Sequence, residues 1–203
     1  MVEHSRYYVS DNDVGVSKGI LKNKLGIKNR KKLGEAETLL LADTYTHFFE
    51  LLRKGKVKFD LSLLFSIHEY FLNHLYDWAG KVRTVNISKD EMLLAPVKYI
   101  DQALAEFNKL LKITLPKQSN TNNEASQKLA IIHNEFNVIH PFREGNGRTI
   151  RLFLDLIAVH SGYNPIDWGK TPNKDYLKAC IQGVNGSHEP MAKIIKKGLK
   201  KSK

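Results

Sequence analysis

Residues 140–151 read HPFREGNGRTIR, and this stretch decides how the fold is interpreted. Pro141 cannot continue a helix, and Gly145 and Gly147 tolerate backbone dihedrals that other residues avoid. Apolar residues recur at helical spacing on both sides, so the stretch is predicted to hold a loop between two amphipathic helices. A helix beginning at Asn146 would point its first backbone N–H groups into that loop, where they favour an anion.

The side chains of this stretch suit chemistry on phosphates. Arg148 and Arg151 are three residues apart on the following helix, so their planar guanidinium groups are predicted to lie on a similar face. Glu144 is a hard oxygen ligand of the kind that holds Mg²⁺ beside phosphates and waters. The His140 imidazole can take a proton from an attacking hydroxyl. A base, a metal ligand and an anion cradle together predict phosphoryl or nucleotidyl transfer.

Each of these residues also has an ordinary structural explanation. Arg148 and Arg151 could be solvated on a helix surface, and Asn146 could be a helix cap. Such explanations account poorly for the joint spacing of all these residue types within twelve positions. The sequence therefore favours a functional loop.

The stretch resembles the signature of Fic-domain proteins, H-x-F-x-[DE]-G-N-G-R-x-x-R, and every fixed position is filled. Residues 21–27 (LKNKLGI) and 76–89 (YDWAGKVRTVNISK) are similar to the short bacterial cell filamentation proteins of that family. The resemblance thus covers most of the chain. It implies an all-α, Fic-type helical bundle with a small β-hairpin flap, formed by a single Fic domain over residues 1–203 with a motif loop at 140–147.

The resemblance also implies an activity. The chain would be a protein adenylyltransferase that transfers AMP from ATP to a Ser, Thr or Tyr hydroxyl of a target protein and releases diphosphate. His140 would deprotonate that hydroxyl so that its oxygen attacks the α-phosphorus, and Glu144 would hold the Mg²⁺ that bridges the phosphates. The nucleotide would be bound by five residues of the same stretch: Gly145, Asn146, Gly147, Arg148 and Arg151.

Within this set the resemblance assigns separate roles. Asn146 and Gly147 would line the anion hole of the nucleotide site. Arg148 would hold the β-phosphate, and Arg151 would hold the γ-phosphate end. Phe142 would anchor the loop in the hydrophobic core.

Apolar spacing predicts helices through most of the remaining chain. Asp60 is a plausible N-cap for one of them, and Pro96 begins another. The predicted helices cover residues 35–53, 61 to near 78–80, 96 to about 113, 124 to about 138, 146–160, 172 to about 184, and 189–199.

The segment 81–94 has the clearest strand character in the chain. Val82, Thr84 and Ile87 are β-branched, and residues 88–90 (SKD) can form a turn, so a short hairpin is predicted. The resemblance makes this hairpin a flap that aligns the target chain as an added strand. A purely structural ribbon is the alternative interpretation.

The formal net charge is +11, and much of it lies in a basic N-terminal segment of about residues 1–34 and in the C-terminal tail. A basic surface attracts nucleic acid, nucleotides or an acidic protein, although each lysine run alone is also typical of a solvated surface. Two other functions stay open. One is phosphate transfer by the same fold, as in the death-on-curing relatives, although their loop lacks the G-N-G-R arrangement. The other is a non-catalytic basic module that binds nucleic acid or a partner. No helix-turn-helix, zinc-finger or RNA-binding signature favours nucleic acid.

Composition predicts a cytoplasmic protein without a membrane segment. Apolar residues make up 42% of the chain and charged residues 26%, and no apolar run reaches the length of a membrane span. Cys180 is the single cysteine, which excludes an internal disulfide and fits a reducing compartment. The first residues lack a basic start followed by an apolar core, so no signal peptide is expected.

Many Fic proteins carry an inhibitory helix with the pattern [ST]-x-x-x-E-[GN], whose glutamate pairs with the second arginine of the signature. Thr46 and Glu50 alone have the required spacing here, and Leu51 follows where Gly or Asn is needed. The resemblance therefore implies a separate small antitoxin protein and a role as the toxic half of a toxin–antitoxin pair. His68, His74 and His133 are irregularly spaced, which indicates satisfied or half-buried histidines and not a metal site.

Overall fold

The computed structural model describes residues 15–17, 20–87 and 94–202, and this part of the chain is mainly α-helical. A short antiparallel pair of strands, β1 (Val16–Ser17) and β2 (Ile20–Leu21), precedes the helices. No helix in the described ranges is both long enough and apolar enough to cross a bilayer. The helices are α1 (Arg30–Arg53), α2 (Leu61–Leu72), α3 (Ile100–Thr114), α4 (Asn122–Ile139), α5 (Asn146–His160), α6 (Asn173–Val184) and α7 (Glu189–Gly198).

Local capping explains where several helices begin. Asn29 accepts a hydrogen bond from the Lys32 N–H, so α1 starts five residues before the predicted position. Asp60 caps α2 as predicted. Thr121 and Glu124 form a capping box at the start of α4. The bounds predicted for α5 are confirmed.

Helix α2 ends at Leu72, earlier than the predicted end near residues 78–80. The Leu72 carbonyl accepts N–H groups from both Leu75 and Tyr76, which tightens the chain into a turn. Gly80 then has a φ of +72°, and its N–H donates to Nδ1 of His68. Leu75 and Tyr76 are buried after this turn, so the apolar pattern continues although the helix does not.

The core lies between α4 and the helices around it. The apolar side chains predicted on α4 and α5 are buried, which confirms the amphipathic pattern of both helices. Helix α4 contacts α3, α5, α6 and α7, while α5 also contacts α1 and α2. The loop between α4 and α5 is therefore held at both ends by helices fixed in the core.

The predicted hairpin over residues 81–94 differs from the structure in the part that is described. Residues 81–87 form no strand, and residues 88–93, with the predicted turn, lie outside the described residues. The backbone N–H of Arg83 donates to the Pro141 carbonyl at 2.8 Å, and that of Ala95 donates to the Val138 carbonyl at 3.0 Å. Because these groups bind the end of α4 and its loop, they are not available for a strand ladder.

Candidate active site

His140 occupies the position where α4 ends, in a left-handed conformation with φ of 49° and ψ of 59°. That conformation costs a non-glycine residue about 1–2 kcal/mol. The His140 N–H donates to the Phe136 carbonyl, and its own carbonyl accepts Nε of Arg83 at 2.8 Å. Nδ1 of the buried imidazole lies 3.0 Å from the Asn137 carbonyl and donates to it. In a neutral ring this tautomer carries the lone pair on Nε2, the atom that can accept a proton.

Asn146 closes the loop between His140 and α5. Its side chain accepts the Phe142 N–H at 2.9 Å and donates to the Phe142 carbonyl at 2.7 Å. The Phe142 side chain is fully buried and stacks on the His68 ring at 3.7 Å, so the prediction that it anchors the loop is confirmed. Because the Asn146 side chain is committed to the loop, its backbone N–H is the group suited to an anion.

His68 supports the loop from α2, a role that the sequence did not reveal. Its Nδ1 accepts the Gly80 N–H, so Nε2 donates to the Glu144 carbonyl at 2.9 Å. Burial lowers the pKa of His68 to about 4, the hydrogen bond to Glu144 opposes this shift, and the positive charge of Arg148 adds to it. The ring is fully buried and satisfied, in agreement with the interpretation of this histidine as a structural residue.

Arg148 is held by residues from three other parts of the chain. Its NH1 donates to Glu37 of α1 at 2.7 Å, and its NH2 donates to Glu144 at 3.3 Å. The guanidinium also lies over the Phe71 ring, 4.9 Å from the centroid. Glu37 is buried, and its second oxygen accepts the Tyr76 hydroxyl at 2.9 Å. The guanidinium therefore has a fixed position at the start of α5.

Arg151 lies against a different wall. Its Nε donates to the Gly147 carbonyl at 3.2 Å, and its guanidinium lies 5.4 Å from the centroid of the Tyr176 ring on α6. The Tyr176 hydroxyl donates to the buried His133 at 2.8 Å, which fixes the ring. The two arginines were expected on a similar face, yet Arg148 contacts α1 and α2 whereas Arg151 contacts α6. Positions three apart on a helix differ by about 60°, and long side chains diverge further.

Besides His68, the sequence did not reveal the residues that support the two arginines: Glu37, Phe71 and Tyr176. The one signal in the sequence was Glu37, an acidic residue four positions after Leu33 on the buried face of α1. A carboxylate at such a position needs a buried cation or hydrogen-bond donors. Nothing in the sequence indicated which cation.

The two glycines have different surroundings. Gly145 has a φ of +85°, and a Cβ there would approach Leu72 Cδ1 at 2.9 Å. A Cβ on Gly147 would meet no atom within 4 Å. Helix α5 begins without a side-chain cap, and the space where a Gly147 side chain would stand is open. This is the geometry that admits a phosphate close to the backbone.

Glu144 is the candidate metal ligand, and its carboxylate accepts the Gly145 N–H at 2.8 Å besides its contact with Arg148. No group of three or more His, Cys, Asp or Glu side chains suited to a metal occurs among the described residues. A single carboxylate beside an anion site fits Mg²⁺, which is commonly held by one or two carboxylates together with phosphate oxygens and waters.

Comparison with known proteins agrees with the fold and the loop. Residues 58–158 match the sequence pattern of the Fic/DOC family. The protein adenylyltransferase VbhT of Bartonella schoenbuchensis is 34% identical over 197 residues, which are 96% of this chain and 40% of that protein. The probable protein adenylyltransferase y4lH of Sinorhizobium fredii is 30% identical over 182 residues, which are 88% of this chain and 90% of that protein.

The chain thus spans less than half the length of VbhT but nearly all of y4lH. The crystal structure of BepC from Bartonella tribocorum with bound AMPPNP superposes with a TM-score of 0.76 at 23% identity, covering 97% of this chain and all of that one. At this identity the similarity concerns the fold, and it confirms the predicted helical architecture. Since y4lH aligns over most of its length and the family pattern covers the whole loop region, this chain belongs to the Fic/DOC family.

Proposed function

We propose that this chain is a protein adenylyltransferase that transfers AMP from ATP to a hydroxyl side chain of a target protein and releases diphosphate. The observation that carries this proposal is the loop from His140 to Arg151. It joins an imidazole with a defined tautomer to an uncapped helix N-terminus and two positioned guanidiniums. The curated names of the similar proteins, which are protein adenylyltransferases, support the same activity.

His140 acts as the general base in this proposal. Its Nδ1 donates to the Asn137 carbonyl, so Nε2 takes the proton of the target hydroxyl. The hydroxyl oxygen then forms a bond to the α-phosphorus of ATP, and the bond from that phosphorus to the bridging oxygen of diphosphate breaks. The N-terminus of α5 and the Arg148 and Arg151 guanidiniums bind and orient the phosphates.

Glu144 would contribute a carboxylate to a Mg²⁺ ion, and a bound Mg²⁺ would supply neutralisation of phosphate charge at this position. Gly147 leaves the space beside the helix start free of a side chain, whereas Gly145 permits the left-handed turn that packs on Leu72. The Asn146 side chain maintains the loop through Phe142. Most of the catalysis expected from this chain is therefore positioning and charge stabilisation.

His140→Ala tests the proposed function. Cell extract is incubated with the protein and ATP labelled at the α-phosphate, and the amount of label transferred to proteins is measured. We expect transfer to fall at least about a hundredfold because an essential base is lost, while ATP binding survives. His74→Ala is the matched control because His74 is exposed. Equal labelling by His140→Ala and wild type would refute the assignment of the base.

The position of the label separates the other functions. Transfer of a γ-phosphate label would indicate a phosphotransferase, and mass spectrometry would then find phosphate and not adenylate on the target. An unchanged biological effect of His140→Ala, together with binding that weakens steeply with salt, would indicate a non-catalytic basic module.

We further propose that the protein acts in the cytoplasm and is controlled by a separate small antitoxin protein. Glu50, which has the spacing of an inhibitory glutamate, pairs with Lys54 of its own helix at 2.5 Å. Co-expression with a neighbouring small open reading frame tests whether an antitoxin controls the protein. Equal toxicity with and without that neighbour would refute the proposed antitoxin.

A further inference from the structure

A basic cavity lies beside the candidate active site. Its volume is about 430 Å³, and it forms where the residues after β2, the turn after α2 and the segment 81–84 meet the signature loop. Thirteen described residues line it, of which one is acidic, Asp77. Five are basic: Lys22, Lys24, Lys81, Arg83 and Arg143.

Among the described residues that line the basic cavity, basic side chains outnumber the acidic one. Lys24 lies 3.1 Å from Asp77, so that pair is locally neutral. The Arg83 guanidinium donates to backbone carbonyls, including those of His140 and Val85. Lys22 and Lys81 are exposed at the same opening. Like charges on a concave surface raise the local potential and attract anionic groups.

The basic cavity is directly connected to the loop that carries the proposed base. Arg83 donates its backbone N–H to the Pro141 carbonyl and its Nε to the His140 carbonyl, each at 2.8 Å. Arg143 of the same loop lines the cavity. A chain bound there would lie next to the segment that ends in His140.

We propose that the basic cavity binds an acidic segment of the target protein, so that Asp or Glu side chains near the modified hydroxyl contribute to target choice. This inference depends on the proposed function for its biological meaning. The indole of Trp78, stacked on Tyr76 at 4.3 Å, gives the cavity an aromatic wall for the aliphatic parts of such side chains. A concave space of this volume suits a few side chains, whereas a nucleic-acid site follows a backbone over several phosphates.

The test is a double charge reversal, Lys22→Glu with Lys81→Glu. Its matched control is Lys112→Glu with Lys117→Glu, two exposed lysines on and after α3 that change the net charge equally. The probe is a fluorescein-labelled peptide with glutamates on both sides of a tyrosine, and its binding is followed by fluorescence anisotropy. We expect about tenfold weaker binding by the cavity variant, and a change within about twofold for the control.

Peptide binding does not require catalysis, so the result is independent of the His140→Ala test. Failure of wild type to bind the peptide, or equal loss in both double variants, would overturn the inference. A single-stranded oligonucleotide of equal charge is run in parallel. Preferential binding of the oligonucleotide at these two lysines would also overturn it, in favour of a nucleic-acid site. ATP affinity should be unchanged in both double variants.

Discussion

At the scale of single residues, the signature arginines depend on residues outside the signature. Arg148 has a buried carboxylate from α1 as its partner, and Arg151 lies on an aromatic ring from α6. Arginine is useful for phosphate binding only if its fork has the correct orientation, since a displacement of about 1 Å can cost roughly a hundredfold in rate. Glu37 is therefore a positioning residue for the proposed reaction.

Glu37→Ala should impair the use of ATP without removing the base. We expect KM for ATP to rise and AMP transfer to fall by about tenfold or more, because Arg148 loses its 2.7 Å partner. Glu37→Gln retains an oxygen for Arg148 and should lose less. Initial rates at several ATP concentrations give KM and kcat for each variant.

The control for this pair is Glu35→Ala, an exposed glutamate two residues earlier on α1. Its kinetic constants should match those of wild type. If Glu37→Ala kept the wild-type KM and kcat, a positioning role would be contradicted, even if the variant were less stable.

At the scale of elements, the start of α5 combines one structural glycine with one glycine beside open space. Gly145 has a left-handed φ, and a Cβ at this position would lie 2.9 Å from a side-chain atom of Leu72. Gly147 is the second residue of the helix, and a Cβ there would have no such neighbour. Substitution by alanine should therefore lower the stability of the fold at Gly145 but not at Gly147.

Gly145→Ala should destabilise the fold by about 1–3 kcal/mol, from backbone strain and the contact with Leu72. Gly147→Ala should leave stability equal or raise it by up to about 1 kcal/mol, because alanine is the better helix former. Its methyl group should nevertheless reduce ATP binding, since it projects where phosphates approach. Urea unfolding and ATP titration of both variants check this, and a Gly147→Ala protein with full ATP affinity would contradict the placement of the anion site.

At the scale of the whole molecule, the buried histidines should make the free energy of unfolding depend on pH. Burial lowers the pKa of His133 to about 4, the hydrogen bond to Asn134 opposes the shift, and Arg151 adds to it. Because the pKa of His133 is lower in the folded than in the unfolded state, its burial costs no stability above about pH 6.5, where the ring is neutral in both states. As the pH falls from about 6.5 towards about 4, the unfolded state gains a proton on His133 that the folded state does not. This one group then lowers the free energy of unfolding by about 3 kcal/mol in total.

His133→Gln removes this titration, so the unfolding free energy of wild type should fall relative to the variant between about pH 7 and about pH 4. Comparison with the variant is needed because Asp155 acts in the opposite sense. Burial raises the pKa of Asp155 to about 7, opposed by hydrogen bonds from Tyr45 and Trp168, so its contribution increases as the pH falls. Urea unfolding at several pH values gives both curves, and parallel curves would contradict the prediction.

The sequence identified more of the candidate site than of its support. The loop could be located because Pro141 and the glycines interrupt two apolar periodicities, and such effects act within a few residues. The segment 81–94 was predicted as a hairpin from β-branched residues, yet its described part, residues 81–87, forms no strand, and the Arg83 N–H donates to the loop after α4. That outcome depends on a neighbour more than forty positions away, which a local pattern does not contain.

The sequence by itself determined the helical class, the bounds of α5 and the identity of the loop residues, because capping, helical periodicity and backbone sterics are local. Only the tertiary structure decided where the guanidiniums lie. Glu37 and Arg148 are 111 positions apart, and they meet because α1, α2 and α5 pack together. Tyr176 reaches Arg151 because α6 packs on α4, where His133 fixes its hydroxyl. Such pairings follow from the burial of apolar faces, and that burial fixes which distant side chains become neighbours.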